Sequence, residues 1–174
     1  MPDFSRKRIR LAASSYVGRS WYFLTLCAQG REARFNQPVL AQRLVELMHE
    51  SAEAEGFQIV AFCFMPDHVH LLAGGRGADS DLQAFVKGFK QRSGFWFKRE
   101  FGKHLWQRYF YDHILRTGDH WEAVAWYIWM NPVRKGLCEE SKDWPFSGSQ
   151  TLDWKGLMKP IGKDWVPPWQ SRPL

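Results

Sequence analysis

Met65-Pro66-Asp67-His68-Val69-His70 is the tightest constraint in this chain. Apolar runs flank it, Gln58 to Met65 before and Asp67 to Ala73 after, so it reads as two buried strands turning at Pro-Asp. Successive side chains of a strand point to opposite faces. His68 and His70 therefore emerge together, while Val69 faces a core on the other side. Two imidazoles held on one face of a rigid strand can bite one metal ion. The plainer reading is a satisfied surface pair on an edge strand, and only the rest of the chain decides between the two.

Around this hairpin the elements follow in a definite order. Trp21 to Cys27 is rich in strand formers and predicts a buried first strand. Asn36 offers an N-cap and Pro38 a first turn, and Leu40, Leu44, Leu47 and Met48 give the stripe of a core-facing helix that Gly56 ends. His49 lies off that stripe and is expected at the surface. Ser80 with Gln83 forms a capping box for a second helix, buried through Leu82, Phe85, Val86 and Phe89. Leu105 to Leu115 is aromatic and strand-like. Strand, helix, strand, strand, helix, strand predicts an α+β fold, a ferredoxin-like antiparallel sheet with helices on one face.

Asp119 with Glu122 opens one more helix, on which His120, Val124, Tyr127 and Asn131 share a stripe and Pro132 marks the end or a kink. Beyond Gly136 the chain turns to Trp, Pro, Gly and Ser. The expected organisation is a basic arm over 1–19, one domain over 20–144, and an irregular Trp/Pro-rich tail over 145–174 packed on it.

Ten tryptophans and 16% aromatic content rule out a disordered chain. The net charge of +6 and a pI near 9.4 favour a polyanionic partner, with nucleic acid the commonest. The candidate contacts are Arg6, Lys7, Arg8 and Arg10 in the arm and Lys87, Lys90 and Arg92 on the second helix, although solvated surfaces carry the same pattern. Cys27, Cys63 and Cys138 show neither metal-finger spacing nor an even count, so free thiols in a reducing compartment are expected. No apolar run follows Arg10 to make a signal peptide and none is long enough to span a membrane, which predicts a cytoplasmic protein.

With these residues in place, the chain resembles the single-tyrosine HUH transposases, in which two histidines flank a hydrophobic residue. It looks closest to the REP-associated tyrosine transposases of bacteria. The resemblance runs through Trp21–Cys27, Met65–His70, Leu105-Trp106-Gln107-Arg108, Tyr111-Asp112-His113, and Tyr127-Ile128-Trp129-Met130-Asn131-Pro132-Val133-Arg134-Lys135-Gly136-Leu137. It implies a metal-dependent single-stranded DNA endonuclease and strand transferase acting on REP-like DNA hairpins. Tyr127 would be the nucleophile of a 5′-phosphotyrosine intermediate, and His68 and His70 would hold Mg²⁺ or Mn²⁺.

The family's third ligand is often a glutamine four residues after the tyrosine. That position is Asn131 here, which serves equally as a helix C-cap; His113 and His120 are the alternatives. The resemblance also implies a bacterial cytoplasmic protein, nucleoid-associated when bound to DNA. Many relatives pair as homodimers, and the long Trp-rich tail favours a monomer instead. Two rival functions share these features. One is a non-catalytic hairpin or single-strand binding module, and the other a metallohydrolase that uses activated water.

Overall fold

The computed structural model describes residues 12–156, 162 and 164–170. The strands are β1 (Trp21–Ala28), β2 (Phe57–Met65), β3 (His68–Gly75), β4 (Trp106–Ile114) and β5 (Ser147–Gly148). They form one antiparallel sheet in the order β4-β1-β3-β2-β5. The helices are α1 (Pro38–Ala54), α2 (Leu82–Phe101), α3 (Trp121–Trp129) and the single turn α4 (Asn131–Arg134). This is the predicted α+β order, with β5 added.

Alternation assigns each strand residue to one of two cores. Tyr22, Leu24, Leu26, Phe64, Val69 and Leu71 pack with α1 and α2. Phe23, Cys63, Met65 and Leu72 face the other way, onto Val124, Tyr127, Ile128 and Trp129 of α3 and onto tail residues such as Trp154. Both sheet faces are thus covered, so β1, β2 and β3 are buried almost throughout and their alternation is muted in the sequence. Covering both faces is also why His68 and His70 lie in an interlayer instead of on a free surface.

Helix starts depart from the sequence reading. Gln37, not Asn36, precedes α1 and makes no side-chain cap bond. Pro38 at the first position needs no N–H partner, so the start stands without one. Asp81, not Ser80, caps α2, its Oδ1 accepting from the Gln83 and Ala84 amides at 2.8 and 3.1 Å. The Ser80 hydroxyl instead donates to the Gly56 carbonyl at 2.8 Å and accepts from the Gly77 amide at 3.0 Å, a tertiary tie the local pattern does not contain. At α3 His120 takes the cap position without a side-chain bond, because the Asp119 carboxylate accepts from the Arg116 amide. His49 is half-buried against the edge of the Phe62 ring, and burial pushes its pKa down.

The start of the described chain packs as well. Tyr16 is buried and Val17 bridges to Asp81. Arg6, Lys7, Arg8 and Arg10 lie outside the described residues.

Gly75 shows how closely this lead-in approaches β3. A Cβ there would stand 2.1 Å from the carbonyl oxygen of Gly18, a backbone-on-backbone clash. Gly75→Ala is expected to cost about 2–3 kcal/mol, the range of a forced overpacking. Urea unfolding checks this, and an unchanged midpoint would show that the lead-in simply moves away.

Candidate active site

The register brings the histidine pair under α3. On one side His70 stands opposite Thr25 and His68 opposite Cys27; on the other side they face Cys63 and Met65. The two Nε2 atoms are 3.0 Å apart. His68 Nδ1 lies 2.6 Å from Asp67 Oδ1, and His70 Nδ1 lies 2.9 Å from Thr25 Oγ1. A carboxylate can only accept, so His68 carries its proton on Nδ1. With the His70 proton on Nδ1 as well, donated to Thr25, both Nε2 lone pairs point at one spot.

Two nitrogens bound at right angles to one ion at about 2.1 Å are about 3.0 Å apart, so this pair fits a divalent cation. Burial supports the same protonation state. His70 is 8% exposed, and desolvation, aided by the neighbouring His68, holds its pKa well below the usual imidazole value, leaving it neutral at pH 7.

Asp67 does more than shape the turn. It also binds Arg31, Nε to Oδ2 at 2.8 Å, while Arg31 Nη1 points at the Cys27 sulfur. The His68 hydrogen bond, with the charge of Arg31, keeps the Asp67 carboxyl below its usual pKa. A carboxylate on the distal nitrogen of a metal-ligating histidine fixes its tautomer and raises its basicity. Asp67→Asn is therefore expected to weaken Mn²⁺ binding about tenfold with the fold intact. Calorimetric titration of the apo protein measures it, and an affinity equal to wild type would reduce Asp67 to a turn residue.

Tyr127, on α3, completes the site through a shared neighbour. The Phe23 ring stacks on His70 at 5.5 Å between centroids and meets the Tyr127 ring at 6.2 Å. Tyr127 is 8% exposed, and burial raises its pKa while Arg134 opposes that. The Arg134 guanidinium lies over the tyrosine ring at 4.6 Å, so a positive charge sits where a phenolate would benefit.

Asn131 is buried four residues on, its Nδ2 donating to the Tyr127 carbonyl at 2.9 Å and to that of Ile128 at 3.4 Å. It thereby serves the carbonyl that Pro132, lacking an N–H, cannot. Its Oδ1 keeps its acceptor capacity. Among the described residues no cluster of three His, Cys, Asp or Glu side chains could hold a metal.

The tail closes over this layer. Trp165 meets Tyr127 edge-on at 6.4 Å, and its carbonyl accepts from Arg134 Nη1 at 3.0 Å. Trp169 stacks on His113 at 3.8 Å and touches Phe23. His113 thus faces the chemical side of the sheet but is sandwiched by the tail, and His120 stays exposed at the start of α3. Asp112, on the opposite side of β4, accepts from the Tyr16 hydroxyl and takes no part here.

Lys87 and Arg92 are exposed on α2. Lys90 is half-buried and holds the Gln107 and Arg108 carbonyls at 2.7 and 2.9 Å. Thr25, Phe23 and Arg31 escaped the sequence reading. Strand register and a positive-φ Arg31 place them, and neither is visible in any local motif.

The structure thus sets a histidine pair in an antiparallel sheet beneath a helical tyrosine, on an α+β scaffold. The model of the IS200-like transposases matches residues 16–130. A Haemophilus influenzae protein assigned as a REP-associated tyrosine transposase is 30% identical over 155 residues, covering 83% of this chain and 86% of the relative. The REP-associated tyrosine transposase of Escherichia coli K12 is 25% identical, covering 80% and 86%. In fold, the chain is similar to a REP-associated tyrosine transposase solved with a REP hairpin, at a TM-score of 0.67 and 23% identity, covering 96% of this chain and 92% of that one. The chain belongs to the IS200-like transposases, enzymes acting on DNA, and within them to the REP-associated tyrosine transposases.

Proposed function

We propose that this chain cleaves and rejoins single-stranded DNA at REP-like hairpins through a phosphotyrosine at Tyr127, dependent on Mg²⁺ or Mn²⁺. The observation that carries the reading is that Phe23 contacts both His70 and Tyr127, with His68 set edge-on against His70. The hairpin comes from similarity to the relative solved with one.

In this scheme the Tyr127 oxygen forms a bond to the scissile phosphorus and the P–O3′ bond breaks. The phenolic proton is released and the departing 3′ oxygen takes one up, leaving a free 3′-hydroxyl and a 5′-phosphotyrosine. Because the phosphodiester energy is kept, another 3′-hydroxyl reverses the step without ATP. A cation bound by His68 and His70, with Asn131 Oδ1 as third protein ligand, would neutralise charge developing on the phosphate.

The chain's own residues supply the remainder. A phenol with a pKa of about 10 is a poor nucleophile at pH 7. The Arg134 charge over its ring favours the phenolate, and Phe23 packs between Tyr127 and His70. Asp67 and Thr25 hold the imidazoles in register. A monomer is the proposed state, because β5 already pairs with Phe62 and Cys63 on the β2 edge that a second sheet would extend.

The test is a denaturing gel of the protein with hairpin oligonucleotides labelled 3′ of the cut, with Mn²⁺ or with EDTA, followed by peptide mass spectrometry. A metal-dependent adduct on the peptide carrying Tyr127 is expected. Cleavage with no adduct would transfer the chain to water-using hydrolases, and tight binding with no cleavage would make it a binding module.

A further inference from the structure

A second feature lies across the sheet from Tyr127. Between α2 and the edge strand β4 runs a groove of about 600 Å³. Its floor is aromatic and apolar, with Tyr16, Trp106 and Phe110 among its residues, and its rim is cationic, with Lys87 and Lys98 on α2 and Arg108 on β4. Among the described residues the lining holds a single acid, Asp112, and that carboxylate already accepts from the Tyr16 hydroxyl at 3.0 Å. Lys90 ties the floor to the wall through the two β4 carbonyls it holds, so its role is to set the groove's width.

Phe95 stands on the same side, 71% exposed, a large apolar ring among cations and without burial to explain it. Gly94 beside it leaves the floor open. A Cβ there would meet only the Trp106 ring, at 3.9 Å.

We infer that this groove binds unpaired nucleotides of the DNA strand flanking the cut, with bases against Phe95 and the aromatic floor and phosphates along Lys87, Lys98 and Arg108. The inference rests on the DNA-cleaving reading above and adds a place of grip to it. The volume suits a ligand of one or two nucleotides. An apolar floor under a cationic rim is the arrangement by which unpaired strands are held, bases stacking and backbone neutralised. The position fits the chemistry as well. Phe110 and Asp112 face this groove while Tyr111 and His113, alternate on the same strand, face the Tyr127 side. Because β4 ends the sheet, a strand held here reaches the other face by passing round one edge.

The test measures fluorescence anisotropy of the full chain with three probes, a blunt hairpin, the same hairpin with an unpaired extension, and the extension alone. The variants are Gly94→Leu, which fills the groove without touching a charge, Phe95→Ala, and Lys87→Glu with Lys98→Glu; thermal melting confirms that each folds. Gly94→Leu and Phe95→Ala are expected to weaken the extended probes about tenfold, one stacked base, and to leave the blunt hairpin unchanged. A 2-aminopurine in the extension is expected to be quenched by wild type and released by Phe95→Ala. Equal losses on blunt and extended hairpins would make the groove a general cationic patch and overturn the inference. So would wild-type affinity in all variants, with the cleavage reading left standing. If wild type binds none of the probes, the cleavage reading itself fails and the groove assignment falls with it.

Discussion

Tyr127→Phe is expected to abolish the covalent protein–DNA adduct and to lower hairpin cleavage by more than about 1,000-fold, the scale of removing a nucleophile outright. The substitution takes away one oxygen and leaves the ring. The ring contacts with Phe23 and Trp165 and the Arg134 guanidinium above it therefore persist. No hydrogen-bond partner of the Tyr127 hydroxyl exists among the described residues, so stability is expected to change by less than about 1 kcal/mol. Hairpin affinity is likewise expected to hold. That combination separates a chemical role from a structural one, because a core tyrosine would show the reverse, a stability loss with cleavage preserved. Single-turnover cleavage at saturating enzyme, read beside a urea melt, measures both. Cleavage within tenfold of wild type would remove Tyr127 from the reaction.

How much of this could be read in the sequence follows from the range of each signal. The hairpin and the shared face of His68 and His70 depend only on alternation and a Pro-Asp turn, so they were legible. The Tyr127–Asn131 stripe was legible for the same reason, since four residues make one helical turn. Capping failed where two candidates stood side by side. Ser80 and Asp81 both suit an N-cap, and the Gly56 carbonyl, 24 residues away, decided between them. Thr25, Phe23 and Arg31 join the site only through the pairing of β1 with β3 and the turn after β1, which no window of sequence contains.

The strand β5 is two residues long, below any periodic signal, and a Trp129 indole donating to the Gly148 carbonyl at 3.0 Å helps to hold it. The Trp/Pro-rich tail was expected to pack on the domain. That its tryptophans seal this particular layer is a tertiary fact.

Ending the chain before Asp164 is expected to raise the single-turnover cleavage rate by about 10–100-fold. The seat of this segment accounts for the direction. Trp165 lies against the Tyr127 ring and Trp169 against His113 and Phe23, so both indoles stand over the layer that a phosphate would enter to reach Tyr127. Arg134 is drawn into the closed arrangement as well, its Nη1 on the Trp165 carbonyl.

The seat is also imperfect. The Trp169 indole N–H is buried with no partner among the described residues, which costs about 1–3 kcal/mol and offsets part of what the stacked rings contribute. Such a segment can leave its place, and the open fraction scales the observed rate directly. If closure is favoured by about 1.4–2.8 kcal/mol, removing it returns one to two powers of ten.

Truncation is expected to lower the melting temperature by a few degrees, since it strips packing from the α3 layer, so the assay belongs well below that transition. Trp165→Ala in the full chain is the milder partner experiment and is expected to give a smaller rise of the same sign. A truncated protein that folds, binds hairpin and cleaves no faster would establish the tail as a fixed wall of the site and not its cover.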